Sequence, residues 1–139
     1  MFLTFVINTV LISVAVVIHY EILRLLSTVI PKLSVQNRLR VIIGVFGTIT
    51  AHVIEIWMFG IAFFLMTTYG DFGSLQGNYS GTILDSVYFS FTNYTSLGIG
   101  DIEPLGDIRF LAGLEALTGL AMITWSASFM FIEMRKFWD

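Results

Sequence analysis

Three long apolar runs, separated by polar breaks, and one short amphipathic segment set the pattern of this chain. The runs extend from Phe2 to Tyr20, from Val41 to Met66 and from Phe110 to Ile132. Each reaches the about 20 mostly apolar residues that cross roughly 30 Å of hydrocarbon, so each is predicted as a transmembrane helix. The second is long enough, at ~1.5 Å per residue, to span with tilt to spare, and Gly60 within it permits close helix contact. Beyond the first run, Ile22 to Ile30 continues as an amphipathic piece that Pro31 stops. Between the second and third runs lies a polar stretch around Tyr69 to Gly77. Thr82 then stands three residues before Asp85, the signature of a helix start. The helix it opens, ending near Tyr94, is too short to cross a bilayer. No internal repeat or low-complexity tract interrupts the pattern.

Composition places these helices in lipid. Among 139 residues, 56% are hydrophobic and 12% charged, with a mean hydropathy of +0.85; this leaves too little polar surface to wrap a soluble core, and the reading is an all-α membrane protein. Cysteine is absent, so disulfides and thiolate metal sites are excluded. The first residues lack the basic flank of a cleavable leader, and the first span is expected to remain in the mature chain. Arg24, Lys32, Arg38 and Arg40 follow the first run and Arg135 and Lys136 follow the last; only Arg109 lies elsewhere. By the positive-inside rule the first loop and the tail are cytoplasmic, which leaves the N-terminus outside the cell membrane. The basic loop also suits anionic membrane lipids. Asp71, Asp85, Asp101, Glu103 and Asp107 gather in the predicted outer segment, where they would raise the cation concentration at a mouth. Charge and hydropathy exclude nucleic-acid partners. No nucleophile, base and oxyanion set supports catalysis, so the chain is not read as an enzyme.

The chemistry concentrates in Thr95-Ser96-Leu97-Gly98-Ile99-Gly100-Asp101, which follows the aromatic run Val87 to Tyr94. This segment resembles the selectivity filter of potassium channels, T-x-x-G-Y-G-D, in which backbone carbonyls replace the water shell of the ion. Alternate glycines allow the dihedral angles that such a backbone requires. The resemblance covers about residues 41–135. It implies an outer helix over 41–66, a turret over 67–81, a pore helix over 82–94, a filter over 95–101 and an inner helix over 109–134. Residues 1–40 are then an extra N-terminal helix with a basic cytoplasmic turn. A re-entrant helix and loop fit in a bilayer only when protein or water shields the loop, which a pore provides. One filter segment per chain implies a homotetramer, with K⁺ or another monovalent cation held by Thr95, Ser96, Leu97, Gly98, Ile99 and Gly100, and no other cofactor. The resemblance also places a hinge at Gly119, against the plainer reading of tight packing there and at Gly113. Ala116, Leu120, Ile123 and Ala127 then line the cavity on one helical face.

Departures from the family pattern bear on selectivity. Ile99, Leu97 and Ser96 replace the usual tyrosine, valine and threonine. At the pore-helix positions that brace the filter stand Phe89, with no polar group, and Thr92, which is expected to bond Asp101 directly or through water. A potassium-conducting pore is the leading reading; a non-selective or non-conducting relative is the alternative. Arginine does not recur at every third position of any helix, so voltage sensing is not expected. Inside the spans, His52 and Glu55 share one face, and Glu115 lies on the last helix. A buried cluster of Glu115 with His52 or Glu55 is expected behind the filter, as polar glue or as a proton-sensitive switch. A competing class takes His52, Glu55 and Glu115, with His19, as an intramembrane metal site or a proton-coupled transporter.

Overall fold

The computed structural model describes residues 2–138. Three helices are long and apolar enough to cross a membrane: α1 (Phe2–Val29), α2 (Asn37–Tyr69) and α4 (Ile108–Met134). A fourth, α3 (Ile83–Tyr94), is short. The long helices outrun their apolar stretches because backbone bonds stay satisfied within a helix as it passes the headgroup zone. Pro31 sits in a single 3₁₀ turn, Ile30–Lys32, that ends the first helix.

The first helix is amphipathic in an inverted sense. Its buried residues are Thr4, Asn8, Ala15, His19 and Leu23, at the successive steps of four or seven that keep to one stripe, while Phe2, Leu3, Phe5, Val10, Val14 and Val17 face outward. Lipid tails are as apolar as leucine, so a membrane helix associates through small and polar groups rather than through aliphatic ones. The stripe is clipped at two levels. Thr4 Oγ1 donates to Asp107 Oδ2 at 2.9 Å near the start of α4, and His19 joins Glu55 of α2 and Ser126 of α4.

The short helix wedges between the long ones. Thr82 caps it, its hydroxyl accepting from the Asp85 N–H at 3.1 Å, and Asp85 in turn accepts from the Ser80 N–H at 2.8 Å. On one flank a Cβ at Gly60 of α2 would lie 2.7 Å from Val87 Cα, so only glycine admits α3 this closely. Ser90 hydrogen-bonds both to the Ile56 carbonyl of α2 and to Glu115 of α4. Phe59, Phe63, Tyr94, Ile108 and Leu111 fill the core around this wedge.

The stretch expected as a polar turret is partly a strand. β1 (Gly73–Gly77) pairs antiparallel with β2 (Ile102–Gly106), with Gly73 opposite Gly106, Leu75 opposite Pro104 and Gly77 opposite Ile102. Gly-Ser-Leu-Gln-Gly has little strand propensity of its own; the pairing with the segment after Asp101 supplies its hydrogen bonds. The ribbon is stitched to that segment by the Asn78 N–H, which donates to the Asp101 carbonyl at 2.8 Å. Gly77, at φ +98°, lies so close to that carbonyl that a Cβ would meet it at 2.2 Å.

At the opposite end the basic residues collect. Arg40 donates to the Leu33 carbonyl at 2.8 Å and lays its guanidinium over the Phe137 ring, 5.1 Å from the centroid. Met134 packs against Gly44 at the same end.

Candidate functional site

The Thr95–Asp101 segment runs from the C-terminal end of α3 to the start of β2. Its backbone takes positive φ at alternate residues: Ser96 at 57°, Gly98 at 56° and Gly100 at 82°. A chain whose residues alternate between the two hands of helical φ stays extended while its carbonyls turn toward a common side. Ser96 is the one residue with a side chain among those described to hold positive φ, a conformation that side chains resist and that clusters at functional sites. For Gly98 and Gly100 a Cβ would meet nothing within 4 Å, so dihedral angle and not space selects glycine there. Leu97 and Ile99 are 67% and 56% exposed, the exposure of side chains that nothing within one chain covers.

The bracing of this segment differs from expectation. Thr92 makes no direct bond to Asp101; its hydroxyl donates to the Phe89 carbonyl at 2.9 Å, within its own helix. Its backbone carbonyl instead accepts from the Gly98 N–H at 3.0 Å, and Ser96 N–H donates to Asn93 O at 3.0 Å. The Asp101 carboxylate lies near the Tyr88 hydroxyl. Phe89 turns away to meet Phe63 of α2 edge to face, with centroids 5.0 Å apart. Within one chain, then, the Thr92 hydroxyl bonds inside α3 and Phe89 packs on α2, while the backbone at the end of α3 grips the loop.

The single buried cluster expected of Glu115, His52 and Glu55 is two clusters. α3 stands between α2 and α4, so polar groups on either side each meet the residue of α3 that faces them. Glu115 is fully buried, with Ser90 on Oε1 and Asn93 Nδ2 donating to Oε2 at 2.6 Å. Glu55, also fully buried, takes His19 Nδ1 at 2.8 Å on one oxygen and the Tyr94 hydroxyl on the other. His52 Nδ1 lies 3.0 Å from the same hydroxyl. His19 and Tyr94 are central here, and in the sequence Tyr94 stands out only as the end of the aromatic run and of the short helix. Tyr94 directly precedes Thr95, so this second cluster holds the foot of the loop.

On α4, Leu120, Ile123 and Ala127 are exposed and Ala116 is half-buried, so the four share one face left uncovered by the rest of the chain. Gly119 lies against α3. A Cβ there would sit 2.0 Å from the Tyr94 carbonyl oxygen, so glycine lets the last turn of α3 rest on the helix. Gly113, paired with it as a packing position, has nothing within 4 Å.

Comparison with known proteins adds one finding. A family model described as an ion channel matches residues 38–136, from α2 through the end of α4. No curated protein and no solved structure gives a significant match.

Proposed function

This chain belongs to the ion channel family, and we propose that four copies form a cation pore in which carbonyls of residues 95–100 strip water from K⁺. Alternation of left-handed φ at Ser96, Gly98 and Gly100 carries the reading. A passing ion loses its hydration shell only where several fixed oxygens replace it, and one such strand offers a single oxygen per level. Four strands around an axis complete each ring and cover Leu97 and Ile99. The last turn of α3 points its carbonyl end at this segment, where the negative end of a helix dipole favours a cation. Thr4 and Asp107 share one end of the molecule with the acidic loops, and Arg40 and Lys136 share the other. We therefore orient the N-terminus and the loop outward and the basic end toward the cytoplasm.

Flux into proteoliposomes under K⁺ and under Na⁺ gradients tests the proposal. Uptake is expected with K⁺ well above Na⁺, and lost in Gly100→Ala, whose φ of 82° an alanine resists. Equal rates for the two ions would leave a non-selective pore, and no flux in wild type would leave a non-conducting relative. A monomer or dimer by native mass spectrometry would reject the ring.

A further inference from the structure

The second cluster uses three elements and serves no step of ion passage. His19 Nδ1 lies 2.8 Å from Glu55 Oε1, and His52 Nδ1 lies 3.8 Å from Oε2. All three ligand atoms fall within 4.8 Å of one another. One count of hydrogens satisfies every contact. The Tyr94 hydroxyl donates to Glu55, so its oxygen accepts from His52 Nδ1–H at 3.0 Å. His19 donates from Nδ1 to Glu55, so its Nε2 accepts from the Ser126 hydroxyl at 3.2 Å. A carboxylate and two imidazoles thus meet at membrane depth.

We propose that this cluster binds a divalent first-row transition-metal ion, through His19 Nδ1, His52 Nδ1 and the Glu55 carboxylate, with the Tyr94 hydroxyl beside the remaining position. Two imidazoles and one carboxylate, without thiolate, suit ions such as Zn²⁺; Ca²⁺ and Mg²⁺ ask for oxygen ligands throughout. Ligands held at about 2.0–2.2 Å stand roughly 3–3.5 Å apart around one ion, so a pair as far apart as 4.8 Å must close by roughly 1.3–1.8 Å. His52 has the freedom to do so. Its side chain is 17% exposed where Glu55 and His19 are fully enclosed, and this also makes it the point of entry. When His19 Nδ1 and His52 Nδ1 take the metal, the proton of each moves to its own Nε2; at His19 the Ser126 hydroxyl then turns from donor to acceptor, the outer partner that orients a ligating imidazole. A bound ion would tie α1 and α2 together at Tyr94, one residue before Thr95, and is expected to change K⁺ flux. That consequence rests on the channel reading, whereas binding itself does not.

The test uses the full chain in detergent, stripped with chelator and titrated with Zn²⁺ by calorimetry, then loaded with Co²⁺ for its visible d–d bands. One equivalent per chain is expected, with Co²⁺ bands of a nitrogen–oxygen site. His52→Ala and Glu55→Gln are each expected to weaken Zn²⁺ at least about tenfold. Absence of saturable Zn²⁺ uptake and of Co²⁺ bands in wild type, which needs no variant to fold, would overturn the proposal. Binding unchanged in both variants would overturn it equally. Flux measured without transition metal tests the channel, and metal titration without flux tests this site, so either can fail alone.

Discussion

Ser90 carries one hydroxyl hydrogen and faces two acceptors, the Ile56 carbonyl at 2.8 Å and the Glu115 carboxyl. The count closes when Glu115 supplies a hydrogen of its own to Ser90, which then donates to Ile56. The opposite oxygen of Glu115 accepts from Asn93, whose amide also donates to the Ala112 carbonyl at 2.7 Å. A glutamine meets the same demands, since its NH₂ donates where the acid O–H did and its carbonyl accepts from Asn93. Glu115→Gln is therefore expected to unfold in detergent close to wild type. Glu115→Ala takes one acceptor from the half-buried Asn93 amide and leaves Ser90 without its carboxyl partner, and is expected to cost about 1–3 kcal/mol. Thermal unfolding of the two variants checks this, and a Gln variant as weak as the Ala variant would show that Glu115 must carry charge.

At the scale of the elements, what the sequence revealed depended on how local the cause was. The long helices were legible because hydrocarbon thickness alone demands runs of that length, and α3 because Thr82 and Asp85 cap it from within four residues. β1 was not, because Gly-Ser-Leu-Gln-Gly becomes a strand only through β2, on the far side of α3. That His19, 36 residues away on another helix, bonds Glu55 follows from nothing local to Glu55; the sequence placed the two together only in the metal-site alternative. A signal for it existed all the same. Thr4, Asn8 and His19 fall on one stripe of an otherwise aliphatic helix, and in lipid such a stripe marks the protein-facing side. The cap of α3 carries a prediction of its own. Thr82→Ala removes the acceptor for the Asp85 N–H and is expected to cost about 1 kcal/mol. The loss should appear as faster amide exchange in the first turn of α3, with the exchange of α2 and α4 unchanged; uniform loosening would mean that the cap supports the whole fold.

For the molecule as a whole, the face left open on α4 matters most. Leu120, Ile123 and Ala127 are exposed and aligned with Ala116, all apolar, and in the proposed tetramer they line the space beneath the carbonyl rings. A lining without hydrogen-bonding groups gives water nothing to hold, so a narrow cavity of this kind can empty and stop ions without any part of the chain blocking the way. Ile123, 38% exposed and midway along that face, is the residue to alter. Ile123→Ser puts a hydroxyl on four walls at once and is expected to raise K⁺ flux by roughly several-fold, since a wetted cavity no longer presents a dry barrier. Because Ile123 lies on a face that the rest of the chain leaves open, stability in detergent should stay near that of wild type. Flux and oligomeric state measured on the same preparation separate the outcomes: unchanged flux from an intact tetramer would mean that the barrier lies at the Thr95–Gly100 rings, where backbone geometry and not side-chain polarity governs passage.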